Sequence, residues 1–223
     1  MSRPVALVTG GGQGIGAATC TRLASDGYDV LLTYNTSSKP AEMVVHQIRQ
    51  DGGDALAVKV DCANEGEVGL LGIHPWMARK IDVLVLNHGA YNRVAADKLT
   101  IETLRETMAV NFEGSVAVWK AIQPHLSDEA RMVVVGSQLG TRGSPHGADY
   151  SASKAALAVW ARSLAQQVGP EGKRVNVLAP GYVDTAILAG DSQQKRAQRE
   201  NEVPLKRVGT PEDMASTISF LVS

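Results

Sequence analysis

Val5-Ala6-Leu7-Val8-Thr9-Gly10-Gly11-Gly12-Gln13-Gly14-Ile15-Gly16 is an apolar run that breaks into a glycine-rich turn and leads into a helical pattern. Glycine has no Cβ, so such a turn takes positive φ and lets backbone N–H groups approach a pyrophosphate. The helix that follows puts partial positive charge where those phosphates would lie. No Lys-Ser/Thr pair follows the glycines, which excludes a P-loop. The spacing is Gly-x-x-x-Gly-x-Gly, not the Gly-x-Gly-x-x-Gly of many dehydrogenases. Glycine clusters also occur in plain turns, but this one lies after a first strand and before a first helix, which favours a dinucleotide-binding turn.

Outward from this turn, short β-branched or leucine-rich runs recur at Val30–Leu32, Leu56–Val60, Ile81–Leu86, Met132–Val135 and Arg174–Leu178. Each is bounded by Gly, Asn, Asp or Pro, as buried parallel strands are. Helical spacing appears between them, first at Ile15, Ala18 and Leu23, then at Met43, Val44 and Ile48. The longest helical pattern begins near Gly147 and carries Leu157, Trp160, Ala161, Leu164, Ala165 and Val168 on one face. Asp191–Glu202 is polar throughout, carries both signs of charge and reads as a solvated surface helix. Repeated strand-helix-strand order predicts an α/β fold: a doubly wound, mostly parallel sheet with helices on both faces, three layers in all. No repeat or linker divides the chain, so residues 1–223 read as a single domain.

The composition narrows the function classes. Hydrophobic residues make up 44% and charged residues 20%, which argues against disorder or a fibrous architecture. Lys+Arg 22 against Asp+Glu 23 gives a net charge of -1, without the basic excess that nucleic acid or an anionic membrane surface attracts. No apolar run approaches the length of a membrane span, and the first residues enter a strand without signal-peptide features, so a cytoplasmic location is expected. Cys20 and Cys62 form neither a disulfide framework nor a C-x-x-C pattern, and the histidines show no paired ligand spacing; no metal is expected.

The glycine spacing resembles that of the short-chain dehydrogenase/reductase family, and the resemblance runs across nearly the whole chain. Asp61 after Val60 is similar to the family's adenine-contacting Asp, and Asn87-His88-Gly89-Ala90 resembles its Asn-Ala-Gly motif, with His88 in place of a small residue. Asn111 stands where the family has a lone helix-bending Asn, Ser137 where it has a strand-ending Ser, and Tyr150-Ser151-Ala152-Ser153-Lys154 is its Tyr-x-x-x-Lys motif. Pro180-Gly181 follows the sixth strand, with Thr185 four residues on from Gly181. The resemblance implies a Rossmann fold and the catalytic set Asn111, Ser137, Tyr150 and Lys154. It also implies a cofactor cradle of Gly10, Gln13, Gly14, Ile15 and Gly16. Asn35, Thr36, Ser37, Asp61 and Cys62 extend that cradle, as do Asn87, Gly89, Tyr150, Lys154, Pro180, Gly181, Val183 and Thr185. His88 stands open between a contact to cofactor or substrate and a hydrogen-bonded structural role.

The residue types suit a hydride-transfer enzyme. Tyr150 and Lys154 are i and i+4 on one helix, so they share a face. A phenol of pKa about 10 ionises poorly at neutral pH, and an adjacent ammonium is expected to pull it down until it exchanges protons usefully. Ser137 would fix the substrate oxygen, and nicotinamide would supply the hydride, since no side chain can. The resemblance gives Lys154 the nicotinamide ribose and Asn111 a proton-relaying water. The expected activity is hydride exchange between NADP(H) and a carbonyl or secondary alcohol. The alternative is a non-catalytic dinucleotide-binding module that senses or scaffolds.

Selectivity for NAD comes from an acidic residue at the end of the second strand, which binds both ribose hydroxyls. Here the strand ends Tyr34-Asn35-Thr36-Ser37-Ser38-Lys39, with no carboxylate and several phosphate-compatible groups, so NADP(H) is favoured and NAD(H) stays open. By resemblance the substrate segment runs from about 183 to 205. Its basic residues Lys195, Arg196 and Arg199, with Lys206 and Arg207 beyond, suit an acyl-carrier phosphate or acidic face, so a 3-oxoacyl thioester and an acyl carrier protein are candidate partners. The chain stops at Phe220-Leu221-Val222-Ser223, before the family's usual last strand and tail, which is expected to leave a sheet edge unpaired and to weaken assembly. The helix from about Gly147 resembles the family's main dimer surface, so a homo-oligomer, dimer or tetramer, is still expected.

Overall fold

All four side chains of β1 (Val5–Val8) are buried, because a central parallel strand is covered on both faces. The computed structural model describes residues 3–223. After β1 come α1 (Gly14–Ser25), β2 (Asp29–Tyr34), α2 (Ser38–Gln50), β3 (Ala55–Lys59), α3 (Glu65–Gly72) and β4 (Ile81–Leu86). The second half runs α4 (Ile101–Met108), α5 (Gly114–Ile122), β5 (Leu126–Val135), α6 (Leu139–Arg142), α7 (Ala148–Val168), β6 (Arg174–Leu178), α8 (Gln193–Glu202) and α9 (Pro211–Val222). The strands form one parallel sheet in the order β3-β2-β1-β4-β5-β6. Strand order reverses between β1 and β4, and a crevice opens there at the carboxyl ends, the place where open α/β sheets hold ligands.

Alternation along the strands feeds two cores. Leu7, Leu31, Leu84 and Val134 point to one face, where Leu157, Ala161 and Leu164 of α7 cover them with Val118 and Ile122 of α5. Ala6, Val8, Leu32 and Val85 point to the other, against Cys20 and Leu23 of α1, Val45 and Ile48 of α2, and Ile218 and Val222 of α9. This is the expected three-layer architecture.

The six expected strands are present, with two notable changes of extent. β2 begins at Asp29, which takes a backbone pairing with Val5, and β5 extends back to Leu126, paired with Ile81 across a register shift. Four of the six added residues of β5 are polar and only Leu126 and Ala130 are buried, so no apolar run announced them. β3 and β6 are the edge strands among the described residues.

Candidate active site

The glycine turn is a cradle shaped by backbone. Gly10 and Gly14 sit at φ +64° and +53°, where a side chain would be strained. A Cβ on Gly16 would lie 2.1 Å from the Gly10 carbonyl oxygen, so α1 approaches the turn as closely as it does only because residue 16 is glycine. Asn87 closes the turn from β4: its Nδ2 donates to the carbonyls of Thr9, at 3.1 Å, and Gly10, at 3.0 Å. Gln13 makes no side-chain cap at the amino end of α1, which leaves the first N–H groups of that helix for an anion.

The Tyr-Lys motif lies in the first turns of α7, at the carboxyl end of the sheet. Lys154 is buried and its Nζ donates to the Val135 carbonyl at 2.8 Å, 5.7 Å from the centre of the Tyr150 ring. Ser137 follows β5 and also faces the cavity, its Oγ accepting from the Leu139 N–H at 3.1 Å. Asn111 sits in a π-helical turn, Ala109–Glu113, that joins α4 to α5. Its Oδ1 accepts from the Ala90 N–H at 2.7 Å, and its Nδ2 donates to the Ala90 carbonyl and to Ser153 Oγ, at 3.0 and 2.9 Å. The buried Asn111 side chain thus ties the loop after β4 to α7.

Electrostatics here depart from the expectation drawn from Tyr150 and Lys154 alone. Burial pushes the Tyr150 phenol up, hydrogen bonding to the neighbouring Ser137 hydroxyl opposes that, and Tyr91 adds to the rise. Burial also pushes Lys154 down, to about 8. The cation is close to the ring yet does not depress the resting phenol, because both groups are drawn out of water together.

His88 makes structural hydrogen bonds and also borders the cavity, so both readings of it stand. Its Nδ1 lies 2.7 Å from Thr9 Oγ1 and its Nε2 3.4 Å from Ser115 Oγ. Burial, then the Lys154 charge, push its pKa down to about 4, so the ring is neutral at physiological pH and braces the glycine turn against α5.

These elements border a cavity of about 1360 Å³. Gly10, Gln13, Gly14 and Ile15 line it at one end with Asn35, Thr36, Ser37, Asp61 and Cys62. Asn87, Gly89, Ser137, Tyr150 and Lys154 line its middle, and Pro180, Gly181, Val183 and Thr185 its far wall. Two expected site residues do not reach it. Gly16 is spent on the contact of α1 with the turn, and Asn111 on bracing the loop and α7. The cavity size and the glycine-rich turn fit a dinucleotide, and among the described residues no carboxylate lines it at the end of β2.

Tyr91 and Arg93, which also line the cavity, carried no signal in the sequence. Tyr91 stacks on Tyr150 with centroids 4.5 Å apart and donates its hydroxyl to the His146 carbonyl at 3.0 Å. Arg93 Nη1 pairs with Asp191 at 2.9 Å, and Arg199 Nε and Lys195 Nζ converge on the same carboxylate, joining the loop after β4 to the segment after β6. α8 is exposed as expected, yet its Lys195, Gln198, Arg199 and Glu202 border the cavity. Only long-range packing brings these groups together.

Comparison with known proteins agrees with this geometry. The sequence model described as short chain dehydrogenase matches residues 4–196. A 3-oxoacyl-[acyl-carrier-protein] reductase of Synechocystis is 34% identical over 100% of this chain and 90% of its own length. A cis-4-hydroxycyclohexanecarboxylate dehydrogenase of Sinomonas cyclohexanicum is 35% identical over 98% of this chain and 89% of its own. The crystal structure of a short chain dehydrogenase from Burkholderia cenocepacia in complex with NADP superposes with a TM-score of 0.92, at 36% identity, covering 99% of this chain and 90% of that one.

Proposed function

The chain belongs to the short-chain dehydrogenase family, and from that premise we propose that it is an NADP(H)-dependent oxidoreductase acting on a ketone or secondary alcohol. One observation carries this: Ser137, Tyr150 and Lys154 all line the cavity that the glycine cradle opens into. When bound, the nicotinamide supplies the hydride. The Ser137 hydroxyl holds the substrate oxygen, and the Tyr150 hydroxyl donates its proton to that oxygen as negative charge develops there. Lys154 favours the phenolate left behind, since an adjacent ammonium stabilises an anion most when both are buried. The raised phenol pKa keeps Tyr150 protonated, the form that reduction requires. Asn111 acts as a positioning residue through Ala90 and Ser153.

NADP(H) is favoured over NAD(H) because Asn35, Thr36 and Ser37 border the cavity where an acidic residue would repel a 2′-phosphate. The Burkholderia relative, solved with NADP, supports the same choice. The substrate lies between the Tyr150 hydroxyl and the segment from about 183 to 205. The basic residues there are mostly matched internally, Arg196 by Asp184, Arg199 by Asp191 and Arg207 by Asp213, which favours a small substrate over a carrier protein docked on that segment. A non-catalytic module has no support in the site, where both motif residues are in place.

No described helix is long and apolar enough to cross a membrane, and we place the enzyme in the cytoplasm. We expect a homo-oligomer. The chain exposes 11233 Å², against about 9,800 Å² for a compact monomer of 23.6 kDa, and Val159 on α7 is 57% exposed.

NADPH oxidation, with NADH in parallel, against cyclic ketones, keto acids and 3-oxoacyl thioesters tests the reading. Tyr150→Phe should lower kcat about 10²–10⁴-fold while NADPH binding by fluorescence titration changes little. Full turnover by that variant would remove Tyr150 from the proton transfer.

A further inference from the structure

Arg142 ends α6, the single turn that begins two residues after Ser137, and it borders the cavity. Its neighbours among the cavity cations are committed: Arg93, Lys195 and Arg199 all converge on Asp191, and Lys154 is held by the Val135 carbonyl. Among the described residues no carboxylate lies within 4.0 Å of Arg142, whose side chain makes one long hydrogen bond, 3.3 Å to Gln138 Oε1. The turn that carries it is held in place, while the Arg142 side chain itself is exposed. A Cβ on Gly140 would lie 3.0 Å from both the Ala155 N and the Lys154 carbonyl carbon, so the turn carrying Arg142 is seated on the backbone of the catalytic motif. Its charge is felt within the site: together with Arg199 it opposes the rise of the Tyr182 phenol that burial and Glu202 cause. The other carboxylates bordering this end are engaged elsewhere, Asp184 with Arg196 and Glu202 with the Tyr182 hydroxyl.

We propose that Arg142 is an oxyanion subsite and that the substrate of this enzyme carries a carboxylate or phosphate besides its reacting carbonyl. A guanidinium presents a planar fork that matches either group bidentately, and one without a protein partner is free to spend its charge on a ligand. The proposal rests on the oxidoreductase reading and adds the charge of the substrate to it.

Two matched pairs test it, each assayed with NADPH: 4-oxocyclohexanecarboxylate against its methyl ester, and a 3-oxoacyl pantetheine 4′-phosphate against its dephosphorylated form. The expected result is at least a tenfold preference in kcat/KM for the anionic member of one pair. That preference should be carried by KM and should collapse about tenfold or more in Arg142→Met, with Arg142→Lys retaining part of it. Preference confined to the first pair identifies a carboxylate substrate; preference confined to the second, a phosphorylated arm. Equal turnover of both members of both pairs overturns the subsite and leaves the oxidoreductase reading intact. An anionic preference that survives Arg142→Met also overturns it, by placing the subsite elsewhere. No NADPH oxidation with any of the four ketones, alongside saturable NADPH binding, counts against the oxidoreductase reading and the subsite built on it.

Discussion

Tyr150 and Lys154 are shifted in opposite directions by the same cause, and the consequence is visible in pH dependence. Burial lowers Lys154 to about 8, against about 10.4 for a free lysine. Between those values the unfolded chain binds a proton that the folded chain has released, so stability rises with pH across that window and carries a constant penalty below it. Activity moves the other way: as pH rises through about 8, Lys154 loses the charge that favours the phenolate. The rate of ketone reduction should therefore fall along a limb centred near pH 8, and Lys154→Arg, always protonated, should move that limb upward while lowering the rate. A pH profile of kcat/KM for both proteins decides this. A limb near pH 8 in both would show that another group titrates. His88 shows the limit of reading single residues: its motif position admitted either role, and Thr9 and Ser115, 79 and 27 residues away, supply structural contacts while the ring still borders the cavity.

At the scale of elements, the contact between the glycine turn and α1 is the most exacting. Gly16→Ala would set a methyl 2.1 Å from the Gly10 carbonyl oxygen and 2.6 Å from Asn87 Nδ2, so α1 must retreat from β4. We expect a loss of about 3 kcal/mol or more, since overpacking against backbone has little room to relax. NADPH affinity should weaken at least tenfold, because the amino end of α1 moves with it. Denaturant unfolding and NADPH titration measure the two effects, and a variant unchanged in both would mean that the close approach is not needed. The π-turn at Ala109–Glu113 shows a parallel economy: one extra residue in a helix turns Asn111 inward, where it reaches both Ala90 and Ser153. The glycine spacing was legible because it is local; the π-turn was visible only as an Asn in a helical pattern.

For the molecule as a whole, Asp191 links distant parts of the chain. Its side chain is 3% exposed and pairs with Arg93 from the loop after β4 and with Arg199 and Lys195 of α8. The Arg199 hydrogen bond, followed by that of Arg93, holds its carboxyl below the usual range, so this contribution is present above a free carboxylate's pKa and is lost as pH falls through the lowered value. Asp191→Asn leaves three cations close together without their shared anion. The segment from about 183 to 205 should then loosen, with faster limited proteolysis there and a substrate KM raised about tenfold. Unchanged cleavage and KM would mean that other contacts hold the segment closed.

The sequence by itself determined the six-stranded parallel sheet with helices on both faces, the position of the glycine turn and the Ser137, Tyr150 and Lys154 pattern. Those features rest on local chemistry: period-two or continuous apolar runs, residues without Cβ, and side chains four apart on one helix. Tertiary structure alone decided that Gly16 and Asn111 do not line the cavity, that Tyr91 stacks on Tyr150, that His88 is buried enough to be neutral, and that Arg142 meets no carboxylate among the described residues. Each of these depends on which groups from remote elements become neighbours and how far water is excluded between them. Neither quantity is carried by residue spacing; both arise only when the two faces of the sheet close over their cores.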